Sequence, residues 1–292
     1  MFFNSFSRKI DTIPIFFCNF AGQMEMSIRL HNGLMTLSRP RVMAIINFSP
    51  DSFFSWCDVS AEAQLLSQVE DVLSAGADIL DLGACSTRPG AVPVDAAAEW
   101  GLLSRGLDII RHHWTDVPIS VDTFRAAIAE QAIAHGADMI NDVSGEQADP
   151  QMWEVVARHH VPYVLTHAQP LGACPMTEVL DFLQSYLDRL HRLGIADVIV
   201  DPGFGFGKTV EQNYALLRQL DVLQELHAPV LVGVSRKSML YNPLQATPAD
   251  VLPATVAANT LALERGAHIL RVHDVAAATQ AITVHQLKNS SL

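Results

Sequence analysis

Short apolar runs recur along the chain from residue 41 onward, and a longer segment separates each run from the next. The runs are RVMAIINF (41–48), DILDLGA (78–84), PISVDT (118–123), DMINDVS (138–144), YVLTHA (163–168), DVIVDPG (197–203), PVLVGVS (229–235) and HILRVHD (268–274). Most are rich in β-branched and aliphatic residues at consecutive positions. Such runs are typical of parallel strands that other elements cover on both faces.

The intervening segments have helical periodicity, as in AEAQLLSQVEDVLSAG and TEVLDFLQSYLDRLHRLG. Several end in a glycine shortly before the next strand, as helices often do: Gly76, Gly136, Gly194 and Gly266. Eight strand–helix units predict an α/β protein, a single-domain (β/α)8 TIM barrel over residues 26–292. The alternative is a doubly wound open sheet, which usually has a G-x-G-x-x-G turn after its first strand. NFSPDSFF stands there instead, which favours the barrel.

Polar residues stand at the end of every predicted strand. They are Asn47; Asp81, with STRPG just beyond; Asp122; Asn141 and Asp142; His167; Asp201; Ser235, Arg236 and Lys237; and Arg271, His273 and Asp274. In barrels of this kind the catalytic residues lie at the carboxyl ends of the strands. One polar strand end is commonly a helix cap, but a polar group at all eight predicted strand ends indicates a functional rim.

The segment DPGFGFGKT (201–209) resembles a phosphate-binding loop but fits neither standard pattern. A P-loop would need a glycine five residues before Gly207, where Pro202 stands. A dinucleotide fingerprint that begins with Gly203 and Gly205 would need a third glycine at Lys208. The segment is therefore interpreted as the rim of the sixth strand.

Composition narrows the possible partners. The 292 residues have a formal net charge of -12, which argues against a nucleic-acid partner. It does not exclude an anionic small molecule, because a few donors can dominate one cleft. No apolar run approaches the ~20 residues that a membrane span needs. The four cysteines are scattered, without the spacing of a zinc site, so we expect free thiols and a cytoplasmic protein.

The first 25 residues differ from the rest. Arg8 and Lys9 precede an apolar patch, which faintly resembles a signal peptide, but Asp11, Pro14 and Asn19 interrupt the apolar region. We expect residues 1–25 to be a disordered extension, or the result of a start codon assigned too early.

The rim combines two kinds of group. Cationic and ring N–H donors suited to phosphate oxygens are Arg88, Lys237, Arg271 and His273, whereas groups suited to the N–H edge of a flat heterocycle are Asp122, Asn141 and Asp201. Together they indicate a ligand with an aromatic hydrogen-bonding head and an anionic tail. The sequence contains no G-x-S-x-G elbow and no obvious Cys–His constellation, which favours a displacement in which the protein orients two reactants.

Several segments resemble, in order, the signature segments of the dihydropteroate synthase family. They are INFSPDSF, GADILDLGACSTRPGA, ISVDTFRAAIAEQAIAHGADMINDVSG, VIVDPGFGFGKTVEQNYALLRQL, VLVGVSRKSML and GAHILRVHDV, within about residues 28–285. The resemblance implies a pterin-binding TIM barrel. It also implies a transferase that condenses 6-hydroxymethyl-7,8-dihydropterin pyrophosphate with p-aminobenzoate, the step of folate synthesis that sulfonamides target.

The resemblance also implies roles for individual residues. The pterin would be held by Asp122, Asn141, Asp201 and Lys237, and the pyrophosphate by Asn47, Arg271 and His273, with Asn47 also on Mg²⁺. Thr87 and Arg88 would lie on a loop over the reacting centre and act in catalysis together with Lys237, Arg271 and His273. The p-aminobenzoate pocket would involve Phe53, Pro89, Phe206, Lys237 and Ser238. A homodimer formed through the last helices is a further family expectation.

The chain departs from the family pattern at three places, none of them a residue assigned to chemistry. FSWCDVS follows PDSF where a Gly-Gly pair is common, Cys85 replaces a frequent acidic residue, and LTHAQP replaces an MHM-like segment. Two alternatives stay open: a pterin-dependent methyltransferase, and a pterin-binding paralogue without activity. STRPG, SRKS and RVHD together disfavour the first. The residues that count against the second are the intact Asn47, Arg88, Lys237, Arg271 and His273.

Overall fold

A computed structural model describes residues 26–48, 59–84, 94–144 and 149–290. The strands are β1 (Ser27–Leu30), β2 (Gly33–Thr36), β3 (Arg41–Asn47), β4 (Ile79–Gly83), β5 (Ile119–Asp122), β6 (Met139–Asp142), β7 (Tyr163–Thr166), β8 (Val198–Asp201), β9 (Leu231–Val232) and β10 (Ile269–Val272). The α-helices are α1 (Val59–Ser74), α2 (Ala96–His113), α3 (Ala126–Ala134), α4 (Met152–His159), α5 (Pro175–Arg192), α6 (Val210–Arg218), α7 (Ser238–Tyr241), α8 (Leu252–Glu264) and α9 (Val275–Asn289). A 3₁₀ helix, Leu220–Leu226, precedes β9.

Strands β3 to β10 form one parallel sheet in the order β8-β7-β6-β5-β4-β3-β10-β9. A bridge between Val200 and Val230 joins β8 to the segment that leads into β9, which closes the sheet on itself. These eight strands are the eight apolar runs, and helices alternate with them. The prediction of a single-domain (β/α)8 barrel is therefore confirmed.

A β-hairpin that the sequence pattern did not predict precedes the barrel. Strands β1 and β2 pair antiparallel, and Gly33 forms the turn with a φ of 135°. Ile28 and the following Leu37 are buried in one cluster with Met43 and Ile79 of the barrel strands. The hairpin thus packs on the barrel interior through its apolar side. Most of its other side chains are exposed, so the hairpin contains no long apolar run that would have predicted it.

The barrel interior changes from apolar to polar along each strand. Its amino-terminal part is a buried apolar cluster formed by Met43, Ile79, Met139, Val164, Ile199, Leu231 and Ile269. Alternate residues of a strand share a face, so positions two or four further along point to the same interior. Those positions hold Asn47, Asp81, Asn141, Asp201, Arg271 and His273. On β5 the corresponding position is Asp122, two residues after the buried Ser120, which pairs with Met139. The polar set therefore converges at the carboxyl-terminal opening, called here the mouth of the barrel.

The helices form the outer layer over a second, larger apolar cluster. The four glycines expected at helix ends all have positive φ, between 85° and 100°, as C-terminal caps require. Thr209 and Gln212 form a capping box that starts α6 directly after the DPGFGFGK segment. No helix in the described part of the chain is long and apolar enough to cross a bilayer. Residues 1–25, about which the sequence made separate predictions, lie outside the described residues.

Candidate active site

The centre of the mouth is an arginine held between two carboxylates. The Nε of Arg271, on β10, donates to Oδ2 of Asp81 on β4 at 2.7 Å, and its Nη2 donates to Oδ2 of Asp122 on β5 at 2.7 Å. Asp81 is fully buried, and Asp122 is 7% exposed. The arginine therefore spans the barrel interior, and one of its two carboxylate partners is accessible from the mouth.

Asn141 lies beside this pair on β6. Its Nδ2 faces the Asp81 carboxylate at 3.2 and 3.4 Å from the two oxygens. Because an ionised carboxylate only accepts hydrogen bonds, this neighbour orients the amide nitrogen toward Asp81 and leaves the amide oxygen for another donor. Gly83 leaves space between Asn47 and Asp122, since a Cβ there would lie 3.3 Å from Oδ1 of Asn47 and 3.5 Å from Cβ of Asp122.

A lysine and an aspartate occupy the opposite side of the mouth. The Nζ of Lys237 donates to the carbonyl of Phe204 at 2.5 Å, and Asp201 accepts the backbone N–H of Gly203 at 2.7 Å. Burial lowers the pKa of Lys237 to about 8, although the Asp201 carboxylate works against that shift. Burial also raises the pKa of Asp201, partly offset by Lys237.

The pKa values of Asp122 and Arg271, which form one of the central ion pairs, are both raised, but for different reasons. Burial raises the pKa of Asp122 to about 7, against the opposing effect of Arg271, and the carboxylates of Asp81 and Asp142 add to the rise. Burial alone would lower the pKa of Arg271, but Asp81 and Asp122 raise it above its ordinary value. The arginine is therefore permanently charged, whereas Asp122 can exchange partners or take up a proton near neutral pH.

The loop 203–208 is fixed by its own lysine. The Nζ of Lys208 donates to three backbone carbonyls, those of His167 at 2.8 Å, Gly203 at 2.9 Å and Phe206 at 3.1 Å. Gly203 has a φ of 70°, and a Cβ on it would lie 2.0 Å from the His167 carbonyl oxygen. The glycines thus let carbonyls, not N–H groups, converge on the lysine. This arrangement differs from a phosphate cradle, in which backbone N–H groups point at the ligand.

Of the p-aminobenzoate residues, the structure describes Phe206, Lys237 and Ser238. The Lys237 ammonium lies 4.8 Å from the centroid of the Phe206 ring, and Ser238 is half-buried at the start of α7. They lie together at the side of the mouth that Lys237 occupies. The other predicted residues, Phe53, Pro89, Thr87 and Arg88, lie outside the described residues, so their roles stay predictions.

Two predicted pyrophosphate residues are exposed at the outer edge of the mouth, Asn47 at the end of β3 and His273 just after β10. The Nδ1 of His273 lies 3.1 Å from Oγ of Ser235, and its backbone N–H donates to the same oxygen. Ser235 thereby orients the imidazole. Next to Arg271, these two residues form the outward, donor-rich part of the site.

Four residues from the predicted rim have structural roles outside the mouth. The ring of His167 packs edge-on against Phe182 of α5, with centroids 4.8 Å apart. Asp142 accepts hydrogen bonds from Tyr163 and from Ser144. Arg236 forms a two-pronged ion pair with Asp274.

The site as a whole presents buried acceptors at its base and cations around them. Asp122, Asp201 and the Asn141 amide can bind several N–H groups of a flat ring, and Arg271 and Lys237 can compensate negative charge above it. Sequence reasoning gave no role to Asp81 or to Lys208, although both contact site residues. The only sequence feature that pointed to them was position: Asp81 stands near the end of a strand, and Lys208 follows a glycine-rich turn.

Comparison with known proteins agrees with this architecture. A family model described as pterin binding enzyme matches residues 43–273. The dihydropteroate synthase of Synechocystis sp. is 39% identical over 260 residues, which cover 84% of this chain and 89% of that protein. The chain belongs to the dihydropteroate synthase family.

Solved structures of dihydropteroate synthases share the whole fold. The structure of the Xanthomonas albilineans enzyme with 4-aminobenzoic acid matches with a TM-score of 0.85 and 38% identity. The match covers 91% of this chain and 100% of the Xanthomonas chain. The same species' enzyme in complex with 7,8-dihydropteroate has a TM-score of 0.83 and 35% identity over the same shares. The resemblance seen in the sequence is thus confirmed for family and fold.

Proposed function

We propose that this protein is a transferase that joins 6-hydroxymethyl-7,8-dihydropterin pyrophosphate to p-aminobenzoate, giving 7,8-dihydropteroate and pyrophosphate. The observation that carries the proposal is the convergence of Asp122, Asn141 and Asp201 around Arg271 and Lys237 in one barrel mouth. A family member whose mouth is built in this way can hold a pterin head at its base and an anionic tail near its edge. The 4-aminobenzoic acid and dihydropteroate bound to the Xanthomonas albilineans enzyme support both halves of the assignment.

The residues of the mouth suit a dissociative displacement. The bond between the pterin methylene carbon and the pyrophosphate oxygen breaks first, because the electron-rich pterin stabilises the resulting cation. Arg271 and His273 stabilise the charge that develops on the departing pyrophosphate. The arylamine nitrogen then attacks the cation and loses a proton, and no strong protein base is required. Lys237, between Asp201 and Phe206, would lie beside both the pterin and the arylamine.

The donor chemistry at the edge of the mouth fits Mg²⁺. This ion usually binds through one or two protein oxygens together with substrate phosphates, and the exposed residue Asn47 would provide one such ligand through its amide oxygen. Within the described ranges no three His, Cys, Asp or Glu side chains form a metal site of their own. When bound there, Mg²⁺ would supply additional positive charge for the leaving group.

The surface of the last two helices supports the proposed homodimer. Leu261 on α8 and Val284 and Leu287 on α9 are large apolar side chains that are 54%, 64% and 68% exposed. Val284 and Leu287 are three residues apart and so share one face of α9. Exposed apolar groups clustered in this way favour burial against a second copy of the chain. A cytoplasmic location stays a prediction from the sequence.

The proposed activity is tested by incubating purified protein with the pterin pyrophosphate, labelled p-aminobenzoate and Mg²⁺. We expect labelled dihydropteroate and an equal amount of pyrophosphate. Pterin binding without product would favour the non-catalytic paralogue, and methyl transfer from a pterin donor would favour the methyltransferase. Either result would contradict the proposal.

An Arg88→Ala variant tests the role that the family assigns to the loop over the reacting centre. We expect its turnover to fall by at least about tenfold, because a cation that acts mainly in the transition state contributes more to rate than to binding. Its affinity for a non-reactive pterin should stay within a factor of about two. Near-normal turnover would contradict this assignment.

A further inference from the structure

Asp81 is the buried residue that connects the two halves of the proposed site. Its Oδ2 accepts from Nε of Arg271 at 2.7 Å and from the amide of Asn141 at 3.2 Å. Arg271 would hold the pyrophosphate, and Asn141 would hold the pterin. Asp81 itself is 0% exposed, so it is not placed to contact a ligand directly. It contacts instead the two residues that would bind the ligand, Arg271 and Asn141.

Asp122 has two competing uses. Its Oδ2 accepts Nη2 of Arg271 at 2.7 Å, and the proposed pterin contacts require the same carboxylate to accept ring N–H groups. A pterin whose N–H groups bind Oδ2 of Asp122 competes with Arg271 for that oxygen and weakens the Asp122–Arg271 bond. The guanidinium then has a free N–H edge at the moment when an anionic tail arrives beside it.

An arginine released from one carboxylate would be free to change rotamer unless a second partner retained it. Nε is the donor closest to the Arg271 backbone, and Asp81 holds that atom. The bond to Asp81 leaves both terminal nitrogens available for a phosphate while it restricts the rotation of the side chain. Asp81 also sets the orientation of the Asn141 amide, since only its nitrogen can donate to the carboxylate.

We propose that Asp81 is a positioning residue for this reaction: it retains Arg271 through Nε and orients Asn141, so that pterin binding at Asp122 releases Nη2 for the pyrophosphate. The pterin site and the pyrophosphate site are therefore positively coupled. The coupling is a binding property, and reciprocity requires that pyrophosphate also increases pterin affinity by the same factor.

This inference rests on the proposed function, and its test separates the two. The first measurement is calorimetric binding of inorganic pyrophosphate with Mg²⁺ to the wild-type protein, with and without saturating 6-methylpterin. We expect affinity to be at least about fivefold higher with the pterin, within the usual range of coupling between sites. An Asp122→Asn variant should bind pyrophosphate more tightly than wild type when no pterin is present, because its Arg271 has lost one competing charge.

The second measurement uses Asp81→Asn, which keeps the size of the side chain but removes its charge. We expect pyrophosphate affinity to fall at least about tenfold and the KM for the pterin pyrophosphate to rise, with the KM for p-aminobenzoate unchanged. Asp138→Asn is the matched control. Asp138 is 3% exposed and pairs with Arg111 where β6 begins, the end of the strand opposite the mouth. Removing the Asp138 charge should lower the Tm without changing pyrophosphate affinity.

The outcomes are distinct. If wild-type protein makes no dihydropteroate, the proposed function fails, while the pyrophosphate measurements still decide the role of Asp81. If Asp81→Asn lowers only the Tm and the active fraction, as Asp138→Asn does, Asp81 is structural and the inference is wrong. Equal pyrophosphate affinity with and without 6-methylpterin would also overturn it. If Asp81→Asn does not fold, the wild-type and Asp122→Asn measurements decide the inference on the coupling alone.

Discussion

Replacing Lys208 with methionine should loosen the loop that forms one wall of the mouth. The ammonium donates its three N–H groups to three backbone carbonyls between 2.8 and 3.1 Å away. Methionine has a similar length and fills similar space but donates nothing. The carbonyls of His167, Gly203 and Phe206 would then have to find water or stay unpaired.

The size of the effect follows from those three bonds. A hydrogen bond to a charged group contributes about 1.5–3 kcal/mol net, and contributions that share one donor group do not simply add. Burial lowers the pKa of Lys208 to about 8, which shows that its charge is held at a cost. We therefore expect a loss of about 3 kcal/mol in the free energy of unfolding, which is less than the sum of the three bonds.

Urea unfolding followed by circular dichroism measures that loss, and steady-state kinetics measures its effect on the site. Because Lys208 fixes the carbonyl of Phe206, the KM for p-aminobenzoate should rise more than the KM for the pterin pyrophosphate. Lys288→Met is the matched control, since Lys288 pairs with Glu264 at the surface and is 59% exposed in its side chain. Its loss should change stability by less than about 1 kcal/mol. A Lys208→Met protein as stable as Lys288→Met, with an unchanged p-aminobenzoate KM, would refute the reasoning.

Three further predictions concern the packing, acid stability and assembly of the barrel. Gly203→Ala should lower the free energy of unfolding by at least about 3 kcal/mol in thermal or urea unfolding, because its Cβ would meet a carbonyl oxygen at 2.0 Å. Gly101→Ala on α2 is the control: open space surrounds that position, so its stability should be unchanged or higher. Burial lowers the pKa of His167 from 6.5 to about 4, so the unfolded chain takes up a proton in that window and the folded protein does not. About 3 kcal/mol of stability should be lost as pH falls from 6.5 to 4, and urea titrations of His167→Leu should show a loss smaller by that amount. Leu287→Glu should convert a dimer to a monomer in light scattering, and a wild-type monomer would contradict the proposed assembly.

The barrel could be predicted from the sequence because its signals are local. Each strand is a short apolar run, four of the helical segments are followed by a glycine, and the eightfold alternation of strands and helices specifies the architecture. The polar strand ends followed from the same segmentation. The β1–β2 hairpin was missed because it buries few side chains and carries no apolar run of comparable length.

The sequence alone could not predict which rim residues point into the barrel interior. A strand that is apolar on both faces gives no phase to the period-two pattern, so the sequence does not show which of two adjacent polar residues faces inward. Asn141 and Asp142 illustrate the ambiguity. Only barrel closure and the packing of Tyr163 determine that Asn141 lies beside Asp81 while Asp142 binds the tyrosine hydroxyl.

The roles of the charged groups depend on ligand occupancy, which a sequence does not encode. An unpaired buried charge costs several kcal/mol, so a mouth that contains Asp81, Asp122, Asp201, Lys237 and Arg271 must satisfy those groups internally before any substrate arrives. The same side chains that the family assigns to pterin and pyrophosphate therefore appear as partners of one another or of nearby backbone groups. Substrate binding must exchange these contacts for new ones. It follows that a buried partner which keeps its bond throughout the exchange, as Asp81 can, affects substrate affinity without contacting the substrate.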